Sequence, residues 1–133
     1  MAIASTALLV AVPAGVRAHD DAVKNRVLTY WAARQKADLG AAYEFYSPTF
    51  RAQHSRTQFL SGFRRLVRFP PEEVRVLEVT RSPDGAAANV RVTLRLKSEL
   101  AGQQVDIEAT SEETWILEEG LWWKKDEPFV PNV

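Results

Sequence analysis

The end of the chain carries two strand-like segments separated by a two-residue turn, and this pattern constrains the fold more than any other. Residues 112–118 and 121–126 are rich in Trp, Ile and Leu, and Glu119-Gly120 lies between them. Such segments around a turn are typical of a β-hairpin. The first half of the chain shows apolar residues at helical spacing instead, so helices come first and strands last. This order predicts an α+β domain rather than an alternating α/β one.

The length of the chain predicts one domain, and its charge balance predicts no strong overall electrostatic field. The chain has 133 residues, of which 46% are hydrophobic, enough for one sizeable core. The 17 basic side chains equal the 17 acidic ones, so net charge favours neither nucleic acid nor an anionic membrane. Residues 1–71 carry 10 basic and 4 acidic side chains, and residues 72–133 carry 7 and 13. We therefore expect basic helices and an acidic sheet that face solvent or pair with each other.

The first 18 residues have the layout of a secretory signal. An apolar core at 7–12 is followed by the small-residue exit Val16-Arg17-Ala18, which predicts cleavage after Ala18 and an exported protein, periplasmic or secreted. Because no positive charge lies near Met1, an uncleaved apolar arm stays open as the alternative. The segment is shorter than the roughly 20 apolar residues that span a bilayer. The folded domain is expected over 19–128, with a tail at 129–133.

Three helices are predicted in the first half. The first is expected to begin after a cap at Asp20 or Asp21 and to end near Lys36. Asp38 is expected to cap a second, shorter helix that ends at Ser47-Pro48. Residues 49–53 then read as a short extended link. Ser55-Arg56-Thr57-Gln58 has the spacing of a capping box and predicts the start of the third helix.

The second half changes to a two-residue period. Strands are expected over 72–81, 90–97 and 104–118, before the final hairpin. Alternation along the third of them places Glu113 on the same face as Trp115 and Leu117. A two-residue loop would set Leu117 opposite Trp122, Trp115 opposite Lys124 and Glu113 opposite Asp126.

This register brings two carboxylates and an ammonium group to one end of an aromatic wall. Ionisable groups beside apolar surface are suited to acid/base chemistry, and here they are Glu113, Asp126 and Lys124. The alternative is an exposed ion-pair cluster of small energetic value, and a register shift of one residue would turn all three side chains outward. Both interpretations stay open at this stage.

Several local sequences resemble the nuclear-transport-factor-2-like superfamily, which includes ketosteroid isomerase and the SnoaL-like polyketide cyclases. The resemblance covers residues 20–128 and rests on the order of elements, Tyr30-Trp31, the stretch at 42–50 and Gly-Leu-Trp-Trp-Lys at 120–124. It implies three N-terminal helices packed on the concave face of a curved, mainly antiparallel sheet, a cone-shaped, cystatin-like roll. It also implies a homodimer formed through the sheet.

The same resemblance suggests where a site would lie. The isomerases use a Tyr on the first helix and an acid on a late strand, which correspond to Tyr30 and Glu113. Their further acid, on an early strand, has no counterpart in residues 49–53. A curved sheet under helices often leaves a conical cavity for a small apolar ligand. The candidate ligand-binding residues are Tyr30, Tyr46, Phe50, Phe63, Trp115 and Trp122.

Other chemistries find little support. His54 is the one histidine inside the predicted domain and is expected to face solvent, so we predict no metal site. No cofactor is expected either, because the chain has no Gly-rich phosphate loop, and it also lacks a nucleophile elbow and cysteine. The basic patch of Arg64, Arg65 and Arg68 reads as a solvated helix face or as a contact for an anionic ligand or acidic protein. It is too short to predict nucleic-acid binding.

Three functions follow as hypotheses. The first is a non-catalytic domain that binds a small apolar molecule in the cavity or a protein partner through the sheet. The second is an isomerase, dehydratase or cyclase that acts on a small apolar substrate by acid/base chemistry at Tyr30, Glu113 and Asp126. The third is an accessory segment that docks on a larger envelope enzyme.

Overall fold

In the part of the chain that the structure describes, four helices precede a four-stranded sheet, which confirms the predicted α+β class. The computed structural model describes residues 14–63 and 70–125, with side chains described for 20–62 and 70–125. The elements are α1 (Ala14–Gln35), α2 (Leu39–Tyr43), α3 (Pro48–Gln53), α4 (Arg56–Phe63), β1 (Glu73–Arg81), β2 (Ala87–Leu100), β3 (Gln103–Glu118) and β4 (Leu121–Lys124). Most of the predicted leader and the whole of the predicted tail lie outside the described residues, so leader cleavage and export stay predictions.

Helix α1 is longer than predicted at its N-terminus. It begins at Ala14, so the expected cap at Asp20 or Asp21 is wrong. The preceding residues include Arg17 and Ala18, which are good helix formers, and the helix continues through them. At its other end, Ala37 takes a left-handed φ of 58°, and the N–H of Asp38 bonds the carbonyl of Ala33 at 2.9 Å. This closure is a Schellman motif, which stops the helix sharply.

Helix α3 replaces the predicted extended link at 49–53, and that prediction is wrong. The side chain of Ser47 accepts a hydrogen bond from the N–H of Phe50 at 3.2 Å, and Pro48 occupies the first turn. Because proline has the φ that a first turn requires and needs no N–H partner there, Ser47-Pro48 starts α3. The predicted end of the second helix at this dipeptide is wrong, since α2 ends at Tyr43. The cap of α2 is confirmed, since the Asp38 carboxylate accepts from the N–H of Ala41.

The capping box of α4 is confirmed in both directions. Ser55 Oγ accepts from the N–H of Gln58, and Gln58 Oε1 accepts from the N–H of Ser55, each at 3.2 Å. His54, just before this box, is exposed as expected. The arginines of the predicted basic patch, at 64, 65 and 68, lie outside the described residues. Within the described part of the chain, no helix is both long and apolar enough to cross a bilayer.

The strands form a single antiparallel sheet in the order β1-β2-β3-β4. The predicted register of the last hairpin is confirmed: Leu117 pairs with Trp122, and Trp115 pairs with Lys124. The turn residues Glu119 and Gly120 both have positive φ, at 52° and 77°. Two such residues in succession are the mark of a type I′ turn, whose twist matches that of the flanking strands.

The sheet has one dry face and one wet face. Val90, Val92 and Leu94 of β2 and Trp115 of β3 are buried on the dry face, against the helices. The opposite face carries exposed charged side chains of both signs, as the alternation predicted. β2 and β3 extend beyond the last residues that pair with β1, so the distal end of their hairpin projects past the rest of the sheet.

The β3–β4 turn predicts a test of the register. Gly120→Val should lower the free energy of unfolding by about 1–3 kcal/mol, because a β-branched side chain is strained at φ 77°. The neighbouring change Glu119→Asn is the control. Asn favours the left-handed conformation, so this variant should be as stable as the parent or more stable. Urea unfolding measures both, and a Gly120→Val effect within about 0.5 kcal/mol would contradict the turn assignment.

Candidate functional site

A buried ion pair lies at the centre of the dry face. The carboxylate of Glu113 and the ammonium of Lys124 are 3.8 Å apart, and the two side chains are only 2% and 3% exposed. Strand register explains the meeting: Glu113 shares a face with Trp115, and Trp115 is directly opposite Lys124. The predicted inward orientation of Glu113 and its proximity to Lys124 are therefore confirmed.

Both oxygens of the Glu113 carboxylate accept hydrogen bonds from tryptophans. Trp31 Nε1 donates to Oε2 at 2.9 Å, and Trp115 Nε1 donates to Oε1 at 3.1 Å. Bonds from N–H donors to a carboxylate are stronger than bonds between neutral groups, and burial increases their electrostatic energy. Trp31 lies on α1, whereas Glu113 and Trp115 lie on β3. The carboxylate therefore ties the helix to the sheet.

Two tyrosines cover the ammonium group of the pair. Lys124 Nζ lies 5.4 Å from the ring centre of Tyr30 and 5.6 Å from that of Tyr46, within range of cation–π attraction. The two hydroxyl groups are 3.1 Å apart, and Arg34 donates to the Tyr30 hydroxyl at 2.8 Å. A positive charge is thus surrounded by aromatic faces and is balanced by the carboxylate of Glu113.

A short parallel β-bridge holds Tyr46 beside Lys124. Tyr46 pairs with Lys124 outside the main strands. The N–H of Lys124 donates to the carbonyl of Phe45 at 2.7 Å, and the N–H of Ser47 donates to the carbonyl of Lys124 at 3.0 Å. Because Ser47 also caps α3, the same residue fixes the edge of β4 and the start of the next helix.

The described candidates for ligand binding form one buried aromatic cluster. Each is at most 3% exposed: Tyr30, Tyr46, Phe50, Trp115 and Trp122. Within this set, the rings of Tyr46 and Phe50 stack at 4.5 Å, and Tyr30 meets Trp115 edge-on at 6.0 Å. The side chain of Phe63 and the whole of Asp126 lie outside the described residues. A ligand-binding role for these residues stays a prediction.

Tyr30 and Glu113, two of the three predicted catalytic residues, form hydrogen bonds with different partners. The hydroxyl of Tyr30 bonds to Tyr46 and Arg34, while the carboxylate of Glu113 bonds to the two indoles. Both oxygens of this buried acid are therefore bound by groups of its own chain. Among the described residues, no group of three or more His, Cys, Asp or Glu comes together in a way that could hold a metal ion.

Sequence reasoning missed the bond from Trp31 to Glu113. The sequence places Trp31 beside Tyr30 on the first helix but indicates no partner for its indole N–H. A signal was present, because a buried indole N–H usually finds an acceptor, and Glu113 is the acid that alternation turns inward. What the pattern could not supply was the docking of α1 against β3.

The buried pair predicts a large and specific loss of stability. Glu113→Gln should lower the free energy of unfolding by about 3–5 kcal/mol, since it leaves the Lys124 charge buried without its counter-charge. The neighbouring change Glu112→Gln is the matched control. Glu112 is exposed and pairs with Arg91 at the surface, so its loss should cost about 0–1 kcal/mol.

A double variant separates the pair from its surroundings. Glu113→Gln combined with Lys124→Met should be less destabilising than the sum of the two single changes, because it removes both charges. Chemical unfolding of the four proteins measures the coupling. A Glu113→Gln effect no greater than that of Glu112→Gln would contradict the structural role of the pair.

Comparisons with known proteins support the fold. Comparison with protein-family models and with curated proteins finds no match. Among solved structures, the chain is similar to a SEC-C motif containing protein from Rhodopseudomonas palustris, with a TM-score of 0.54 and 16% identity over 72% of this chain and 69% of that one. It is also similar to a candidate calcium/calmodulin dependent protein kinase II association domain from Xanthomonas campestris, with a TM-score of 0.51 and 19% identity over 87% and 88% of the two chains. At these identities, the likeness shows a shared α+β fold and no activity.

Proposed function

We propose that this chain is a non-catalytic protein-association domain that acts through the outer, wet face of its sheet. The observation that carries the proposal is the arrangement of Glu113. Its carboxylate is buried and accepts from Trp31 and Trp115, while Lys124 balances its charge. An acid/base enzyme would need this carboxylate to reach a substrate, and a ligand that contacted the described aromatic candidates would have to enter among rings that are at most 3% exposed.

The outer face has the chemistry of a self-complementary surface. Arg91 pairs with Glu112 at 3.1 Å and with Glu78 at 3.5 Å, and Arg95 pairs with Glu73 at 3.0 Å. A face with both signs of charge can meet a second copy of itself about a two-fold axis. Exposed ion pairs contribute only about 0–1 kcal/mol each, so their partners can be exchanged for those of another subunit at small cost.

An apolar side chain adds to this surface. Leu77 lies at the irregularity in the β1–β2 register between Val76 and Glu78 and is 56% exposed. Interfaces gain most of their affinity from apolar and aromatic side chains that become buried, while charges at the rim set orientation. Leu77 together with the arginines of β2 offers both components on one part of the sheet.

The comparison with the Xanthomonas campestris structure supports the same function. That protein is named as an association domain, and the match covers most of both chains. An association domain of this size needs no catalytic residues. The interior pair would then serve to hold the sheet in the shape that a partner recognises.

The proposal predicts a dimer that one substitution on the sheet disrupts. Light scattering coupled to size-exclusion chromatography should give the mass of a dimer for the parent chain. Thr110→Arg should shift the protein to monomer, because Thr110 is exposed near the middle of the outer face and a long charged side chain there would hold two sheets apart.

Ser61→Arg is the matched control, since Ser61 is exposed on α4 and the change adds the same charge and volume to the helical side. It should leave the dimer intact. A parent chain that is monomeric at high concentration, or an equal effect of the two substitutions, would contradict association through the sheet.

A further inference from the structure

A pocket lies between α1 and the β3–β4 hairpin. Its volume is about 280 Å³. Its lining includes Arg26 of α1, Phe45, and Leu121 and Trp122 of β4. Small-molecule sites usually measure roughly 300–1,000 Å³, so this pocket suits a ligand smaller than a typical drug.

The wall of the pocket is largely apolar and partly open to solvent. Phe45 is half-buried, and Leu121 is 49% exposed beside the turn. A large apolar side chain at the mouth of a pocket is available to cover the hydrocarbon part of a ligand. Burial of that hydrocarbon against Phe45 and Leu121 would supply the non-directional part of binding.

Arg26 brings a fixed positive charge to this apolar wall. Its Nε donates to the carbonyl of Trp122 at 2.9 Å, and its guanidinium lies 4.5 Å from the ring centre of Phe45. Among the described side chains, Arg26 forms no ion pair with an Asp or Glu. Burial lowers the pKa of the Arg26 guanidinium from its ordinary value because leaving water disfavours charge, yet arginine stays protonated in proteins.

Trp122 contributes to the same wall. Its side chain is 2% exposed, and its indole Nε1 finds no acceptor among the described residues. The pocket therefore combines the positive charge of Arg26 with apolar walls, and the indole N–H belongs to one of its lining residues.

We propose that this pocket binds a small-molecule carboxylate with a compact apolar body. The carboxylate pairs with the guanidinium of Arg26, and the body covers Phe45 and Leu121. A carboxylate fits better than a phosphate because one cation in an apolar wall balances a single negative charge. The site is separate from the outer face proposed for association, and its occupation does not depend on a dimer.

Benzoate is a suitable probe because it joins one carboxylate to one apolar ring. We expect saturable shifts of the Trp122 indole N–H and of the Leu121 amide in two-dimensional NMR spectra at millimolar benzoate. Benzamide has the same shape without the charge, and acetate has the charge without the ring. Both should bind at least about tenfold more weakly, since each lacks one of the two components.

Two pairs of variants locate the site. Arg26→Met should weaken benzoate binding by about tenfold or more, while Arg56→Gln, an exposed arginine of α4, should not change it. Leu121→Asp places a negative charge beside the pocket without touching the bond from Arg26 to Trp122. It should abolish binding, and Leu100→Asp, at an exposed leucine in the distal hairpin, should leave binding intact.

The Leu121 and Leu100 variants test the site even if the Arg26 variant folds poorly. Loss of the benzoate shifts in Leu121→Asp with retention in Leu100→Asp supports the site. Equal shifts with benzamide, shifts that survive Leu121→Asp, or an absence of saturable shifts at tens of millimolar benzoate would each overturn the proposal.

Discussion

The rest of the structure depends on how the Glu113 carboxylate is held. Trp31 of α1 and Trp115 of β3 each donate to one of its oxygens, and Lys124 of β4 balances its charge. Burying such a pair costs desolvation energy, and its bonds must be well placed to offset that cost. Because these three partners come from a helix and two strands, the arrangement fixes how α1 docks on the sheet. The pair therefore contributes more to the uniqueness of the fold than to its net stability.

The local sequence pattern predicts the register of the hairpin but not the docking of α1 on the sheet. The turn at Glu119-Gly120 and the two-residue period set the register of Trp115 with Lys124 and turned Glu113 inward, because both constraints act over a few residues. The bond from Trp31 to Glu113 joins residues 82 positions apart, and no local pattern encodes it. The helix at 48–53 was missed for a different reason. Ser47-Pro48 was read as a stop signal alone, although the same dipeptide favours a helix start.

The bound carboxylate in the interior favours a function at the surface of the protein. Among the described residues, the predicted catalytic acid Glu113 is already bound by its own chain, so two outer features carry the proposals. One is the sheet face around Arg91 and Leu77, with charges of both signs. The other is the pocket beside Arg26, where a desolvated cation lies next to apolar side chains. The pocket is lined by residues of α1 and β4, two elements that the buried pair and its tryptophan partners join, so loss of the pair would weaken this site.

Hydrogen exchange at the indole N–H groups tests the central claim most directly. If Glu113 ties α1 to β3, the indole protons of Trp31 and Trp115 exchange only when the protein unfolds, with protection close to that of the slowest core amides. Their signals would then persist long after transfer to deuterated water. Exchange of either proton as fast as that of a solvent-exposed indole would contradict the account. It would show that the carboxylate is open to solvent, and hence available for chemistry.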